Sequence, residues 1–166
     1  MKKKRNFCSV ALLVLLVLGL VATVEIRVAS SESIPLPSDV NIVPPPPDTP
    51  KEIAAFSGKW GGTWWSERND RRGDVILIVE ELDSTQKKAK VVYAWGALVD
   101  RKYSQKEGWK RGWGKIATQD GQVFIAVRGP TSDFRFFFTD GKLQGERTAA
   151  GGEAGLRWSM TMKPIQ

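Results

Sequence analysis

The sequence predicts an all-β protein: an eight-stranded antiparallel meander closed into a small barrel, preceded by an N-terminal hydrophobic helix and a Pro-rich linker. Three observations predict it. Apolar residues recur with period two through the C-terminal part of the chain. Turn signals, among them Asp120-Gly121 and Asp140-Gly141, separate short β-rich runs. No helical period interrupts those runs.

The elements follow in chain order. Residues 1–30 read as a signal peptide or membrane anchor: Lys2, Lys3, Lys4 and Arg5 precede the apolar run Val10–Val24, and Val28-Ala29-Ser30 offers small residues for cleavage. Counted from Phe7, the 18 residues 7–24 are just long enough to cross a bilayer uncleaved. Either fate puts the rest of the chain outside the cytoplasm, exported as a periplasmic, extracellular or outward-facing tethered protein. Residues 31–50 hold seven of the nine prolines and are expected to form a disordered, polyproline-like linker. Residues 51–166 form the barrel domain. It opens on "KEIAAF", one helical turn whose Ile53 and Phe56 are suited to plug one end.

Eight strands are expected at about 58–66, 73–82, 88–96, 109–118, 122–128, 133–139, 142–148 and 155–163. In the last, Leu156, Trp158, Met160 and Met162 take one face, and Arg157, Ser159, Thr161 and Lys163 the other. Phe134, Phe136 and Phe138 alternate in the same way, as do Tyr93 and Trp95. Sequential hairpins of this length remove their exposed edges by closing, and an eight-stranded interior holds side chains or one small ligand.

Composition excludes several functions. The chain has no histidine, and Cys8 in the leader is its one cysteine. Triads, Cys-His pairs and His/Cys metal sites are therefore absent from the domain, and no cofactor is expected. Glu80 and Glu81 point to opposite faces of one strand and cannot act as a carboxylate pair. Arg72-Gly73-Asp74 reads as a turn into the second strand. The net charge of +7 is concentrated in the leader; beyond residue 30 it is about +3, too little for a nucleic-acid partner. The protein is read as a non-enzyme.

The stretch "FSGKWGGTWWSE" carries a resemblance. Gly58-Lys59-Trp60, just after a helical turn, resembles the Gly-x-Trp start of the calycin superfamily, the lipocalin-like barrels; Thr139-Asp140 is similar to a Thr-Asp pair of lipocalins. The resemblance implies that Trp60 closes the barrel floor and that Arg157, from the last strand, lies over it, with Gly58, Trp60 and Arg157 as the structural signature.

Alternation puts Trp60 and Trp64 inward and Trp65 outward. The interior candidates for ligand contact are Tyr93, Trp95, Phe134, Phe136, Trp158 and Met160. A second cluster, Asp100–Lys115, sets Tyr103, Trp109 and Trp113 among Arg101, Lys102, Lys106, Lys110, Arg111 and Lys115. It reads either as a contact surface with Trp65, or as a solvated face whose bases pair with Glu80, Glu81 and Asp83. Two functions follow: a non-catalytic exported barrel for a small apolar or amphiphilic ligand, or a membrane-tethered interaction domain. The second would contact envelope glycan or protein through Trp65, Tyr103, Trp109 and Trp113. The membrane itself is a partner through residues 7–24 if the leader is uncleaved.

Overall fold

The computed structural model describes residues 34–66, 70–99, 104–149 and 157–166. The leader at 1–30, Tyr103 and Leu156 lie outside the described residues. One helical turn, α1 (Lys51–Ala54), leads into β1 (Gly58–Ser66), β2 (Arg71–Asp83) and β3 (Lys88–Trp95). A two-stranded excursion, β4 (Leu98–Val99) and β5 (Ser104–Gln105), precedes β6 (Gly108–Gln119) and β7 (Gln122–Arg128). The chain ends with β8 (Ser132–Thr139), β9 (Lys142–Ala149) and β10 (Arg157–Pro164). The eight long strands close in the order β1-β2-β3-β6-β7-β8-β9-β10, with β10 antiparallel to β1. Their ends fall within two residues of the expected ones. One consequence is that Arg72-Gly73-Asp74 lies inside β2 and is no turn.

The register defines two ends. At the floor, two-residue turns join β6 to β7 and β8 to β9. Asp120 and Gly121 have φ of 51° and 79°, and Asp140 and Gly141 have 51° and 73°, the positive pair that matches the twist of a hairpin. The mouth carries the 96–107 excursion, the 129–131 turn and the ends of β1 and β3.

The floor is built from the Gly-x-Trp stretch. Gly58, at φ 116°, makes the corner between α1 and β1. Beyond it, Trp60 turns inward, 7 % exposed, and its indole N–H donates to the carbonyl of Phe56 at 2.9 Å. The ring of Phe138 meets both, 4.9 Å from Phe56 and 5.5 Å from Trp60 in an edge-on contact. Gly62 permits the closure of the barrel: a Cβ there would lie 2.0 Å from the carbonyl oxygen of Thr161 on β10. Arg157 does not lie over Trp60. Trp60 faces Pro164 at the end of β10, whereas Arg157 faces Thr148 at its start, exposed at the mouth. Antiparallel pairing puts the first residue of the last strand at the end opposite the first residues of β1.

The Pro-rich segment also departs from expectation. Residues 34–50 do not stand off as a free spacer. Ile34 is buried, and with Leu36, Val40 and Ile42 it covers Ile76, Ile78, Val92 and Ala94 on the outer face of β2 and β3. The physical reason is that β2 is apolar on both faces: Val75, Leu77 and Val79 fill the lumen while Ile76 and Ile78 need a cover outside. A bulge at Glu80 helps to clamp this strap. Glu80 is 2 % exposed, its carbonyl accepts from the Val43 amide at 2.7 Å, and its carboxylate accepts from Arg111 at 3.0 Å. Arg111 reaches on to the Asp39 carboxylate at 2.9 Å.

Candidate functional site

A cavity of about 340 Å³ opens at the mouth half of the barrel. The alternation of β3, β8 and β10 turns Tyr93, Trp95, Phe134, Phe136, Trp158 and Met160 toward it, and all six interior candidates line it. The aromatic wall is continuous: Tyr93 lies 4.7 Å from Phe134 and 5.9 Å from Trp95, and Phe134 stacks on Phe136 at 6.1 Å. Trp64, Val91 and Met160 separate it from the floor packing. Bulky residues do not fill the lumen because several inward positions, Gly62, Gly112, Gly114 and Gly145 among them, are glycines. Gly145 receives Phe136 and Met160 against its backbone, and a Cβ at Gly112 would meet nothing within 4 Å.

The cavity also reaches the surface between two strands. β7 pairs with β6 only from the Lys115–Ala126 pair onward, so the first residues of β6 have no β7 neighbour at the mouth. Lys110, Gly112 and Trp113 form one lip of the opening; Val127, Arg128 and Pro130 form the other.

Arg147 reaches this apolar chamber from β9, while Lys110, Arg111 and Arg128 line it nearer its opening. Arg147 lies in phase with the inward Leu143, Gly145 and Ala149 of β9. Its guanidinium covers the Trp158 ring at 4.4 Å, and its Nε donates to the buried Ser132 hydroxyl at 2.9 Å. Among the described residues no carboxylate pairs with it. Tyr93 is near enough to feel its charge. Burial raises the pKa of the Tyr93 hydroxyl well above the usual phenol value and Arg147 offsets part of the rise, so at neutral pH the group is a protonated donor. Arg147 and Ser132 were not among the sequence candidates, yet the signal was present: a charged residue on an otherwise apolar phase of a strand.

Of the surface candidates, Trp65, Trp109 and Trp113 are exposed by 38 %, 42 % and 53 %. Trp65 and Trp109 stand near the mouth, and Trp113 edges the lateral opening. The bases between them are not all free: Arg111 is bound by Glu80 and Asp39, as the solvated-face reading expects. Their hydrogen bond raises the Arg111 pKa and lowers that of Asp39.

Chemically the chamber is an aromatic cavity with a few polar groups on its wall. The Ser132 hydroxyl accepts from the Arg147 guanidinium, a contact that does nothing to activate it as a nucleophile. Among the described residues no group of His, Cys, Asp or Glu could hold a metal ion.

Fold and site together define a small closed antiparallel β-barrel with a lumenal cavity. No protein family matches the chain, and no curated protein is similar to it in sequence. Among solved structures, a zebrafish ileal bile acid-binding protein complexed with cholic acid matches with a TM-score of 0.39 and 17 % identity, over 67 % of this chain and 99 % of that one. That likeness is slight, and the functional reading rests on this chain's own geometry.

Proposed function

We propose that the protein is a non-catalytic, exported barrel that binds one small amphiphilic molecule in its lumen. The observation that carries the reading is the open 340 Å³ aromatic chamber with Arg147, which has no acid partner among the described residues, on its wall. Its volume lies within the range of small-molecule sites, mostly apolar with a few convergent polar groups. The apolar body packs on Tyr93, Phe134, Phe136 and Trp158, and the polar end is received by Arg147 and the Tyr93 hydroxyl. The leader supports an address outside the cytoplasm.

Native mass spectrometry of the protein extracted from its host, with titration by 1-anilinonaphthalene-8-sulfonate, tests this. A co-purifying small molecule or saturable one-to-one probe binding is expected, and Gly112→Trp, which fills the chamber from a position with room for a side chain, abolishes it. Arg147→Met weakens the anionic probe about tenfold or more, the scale of one charge-assisted hydrogen bond, and leaves a neutral aromatic probe nearly unchanged. A clean unliganded mass with no saturable binding, or binding indifferent to Gly112→Trp, overturns the reading.

A further inference from the structure

Two of the exposed tryptophans of the described residues, Trp65 and Trp109, share one end of the molecule. Trp65 is the next-to-last residue of β1, and Trp109 the second residue of β6; both strands meet the mouth there. Trp113 stands four residues further along β6, beside the lateral opening of the chamber. At the floor, by contrast, Phe56, Trp60 and Phe138 turn inward and pack on one another.

The chain from the leader arrives at this same end. Ile34, where the described strap begins, lies against Gly96 at the mouth end of β3, its side chain 3.7 Å from where a Cβ there would stand. β2 and β3, which the strap covers, are the two strands between β1 and β6. Ile34, on the strands between β1 and β6, therefore lies between the strands that carry Trp65 and Trp109. Only residues 25–33 separate it from the apolar run 7–24, and nine residues reach about 30 Å at full extension.

We propose that the mouth end is a membrane-docking surface, whose partner is the lipid bilayer from which residues 7–24 lead. Tryptophan favours the interface between headgroups and acyl chains, where its apolar ring is covered and its N–H stays wet. Trp109 and Trp113 flank the unpaired stretch of β6, so the lateral opening of the chamber is turned toward the same lipid surface. Exposed Lys106, Lys110 and Arg128 at this end add attraction to anionic headgroups. The surface shares Lys110, Trp113 and Arg128 with the lateral opening, but Trp65 and Trp109 do not line the lumen, so the two proposals fail separately.

The full chain, reconstituted in phosphatidylcholine vesicles with and without phosphatidylglycerol, tests it through quenching of tryptophan emission by brominated acyl chains. Quenching is expected in the wild type. In Trp65→Phe/Trp109→Phe the quenched fraction falls by half or more, while melting temperature and 1-anilinonaphthalene-8-sulfonate binding hold. Gly112→Trp, which closes the lumen, retains the quenching of Trp65 and Trp109. The chain purified without its leader is expected to co-sediment with phosphatidylglycerol vesicles and to lose this in the double variant. Absence of quenching in the wild type, or quenching unchanged in the double variant, overturns the proposal. So does loss in the double variant of binding to a purified envelope glycan or protein when vesicles give no signal.

Discussion

The two ends of the barrel use aromatic residues in opposite ways. At the floor, Phe56, Trp60 and Phe138 close on one another, the indole N–H is satisfied by the Phe56 carbonyl, and the turns are two residues long. At the mouth, Tyr93, Phe134 and Trp158 line the chamber, Arg147 has no acid partner among the described residues, and two tryptophans face solvent. The same residue types pack solid where they meet and border an open chamber where glycine keeps them apart. One end is closed by packing and the other holds the cavity.

That division can be broken most severely at the floor. Trp60→Ala removes a buried ring and orphans the Phe56 carbonyl; a loss of about 3–5 kcal/mol is expected, read as a Tm lowered by roughly 15–25 °C. The wall between strap and barrel comes next. Glu80→Ala leaves Arg111 half-partnered beneath the strap and is expected to cost about 2–3 kcal/mol, below the value for fully buried pairs because Arg111 keeps Asp39 and water. Urea unfolding with a probe on the strap should show it released before the barrel. At the mouth, Gly112→Leu is expected to change stability by less than about 1 kcal/mol, since its side chain enters open space, while ligand binding is lost. Equal damage at both ends would erase the distinction. The smallest effect is electrostatic. The Arg111 hydrogen bond lowers the pKa of Asp39 in the folded state. Its contribution is therefore complete above the ordinary carboxylate pKa and disappears as pH falls through the lowered one. Acid titration of strap mobility should follow that order, and Asp39→Asn should flatten it.

Much of this was legible in the sequence. Period-two alternation located the barrel strands because one face of each is buried, and it separated Trp60 and Trp64 from Trp65. The strap was hidden by its composition: Ile34, Leu36, Val40 and Ile42 share one period-two phase, but Pro35, Pro37 and Pro44–Pro47 among and after them read as a free linker. Its partner was visible, however. In "DVILIV" both phases are apolar, and a strand with two apolar faces requires a cover on each. Arg157 was misplaced because a basic residue on the last strand was matched to Trp60 without counting the antiparallel register from the two ends. Arg147 was passed over because the interior was sought through its apolar residues. The chamber itself depends on which inward positions lack side chains, a property of several strands together that no single run reveals.

The strap has a mechanical meaning. It begins at the mouth, descends the outside of β2 and β3, and ends as the plug residue Phe56 beneath the floor. A load applied through the N-terminal segment meets this strap before any barrel strand. It peels Ile34 first, is resisted at the Asp39–Arg111–Glu80 clamp, and reaches the floor plug last. The eight closed strands are thus shielded from a pull on the N-terminus by a sacrificial outer layer, and force spectroscopy should record its detachment as a separate low-force step before the barrel opens.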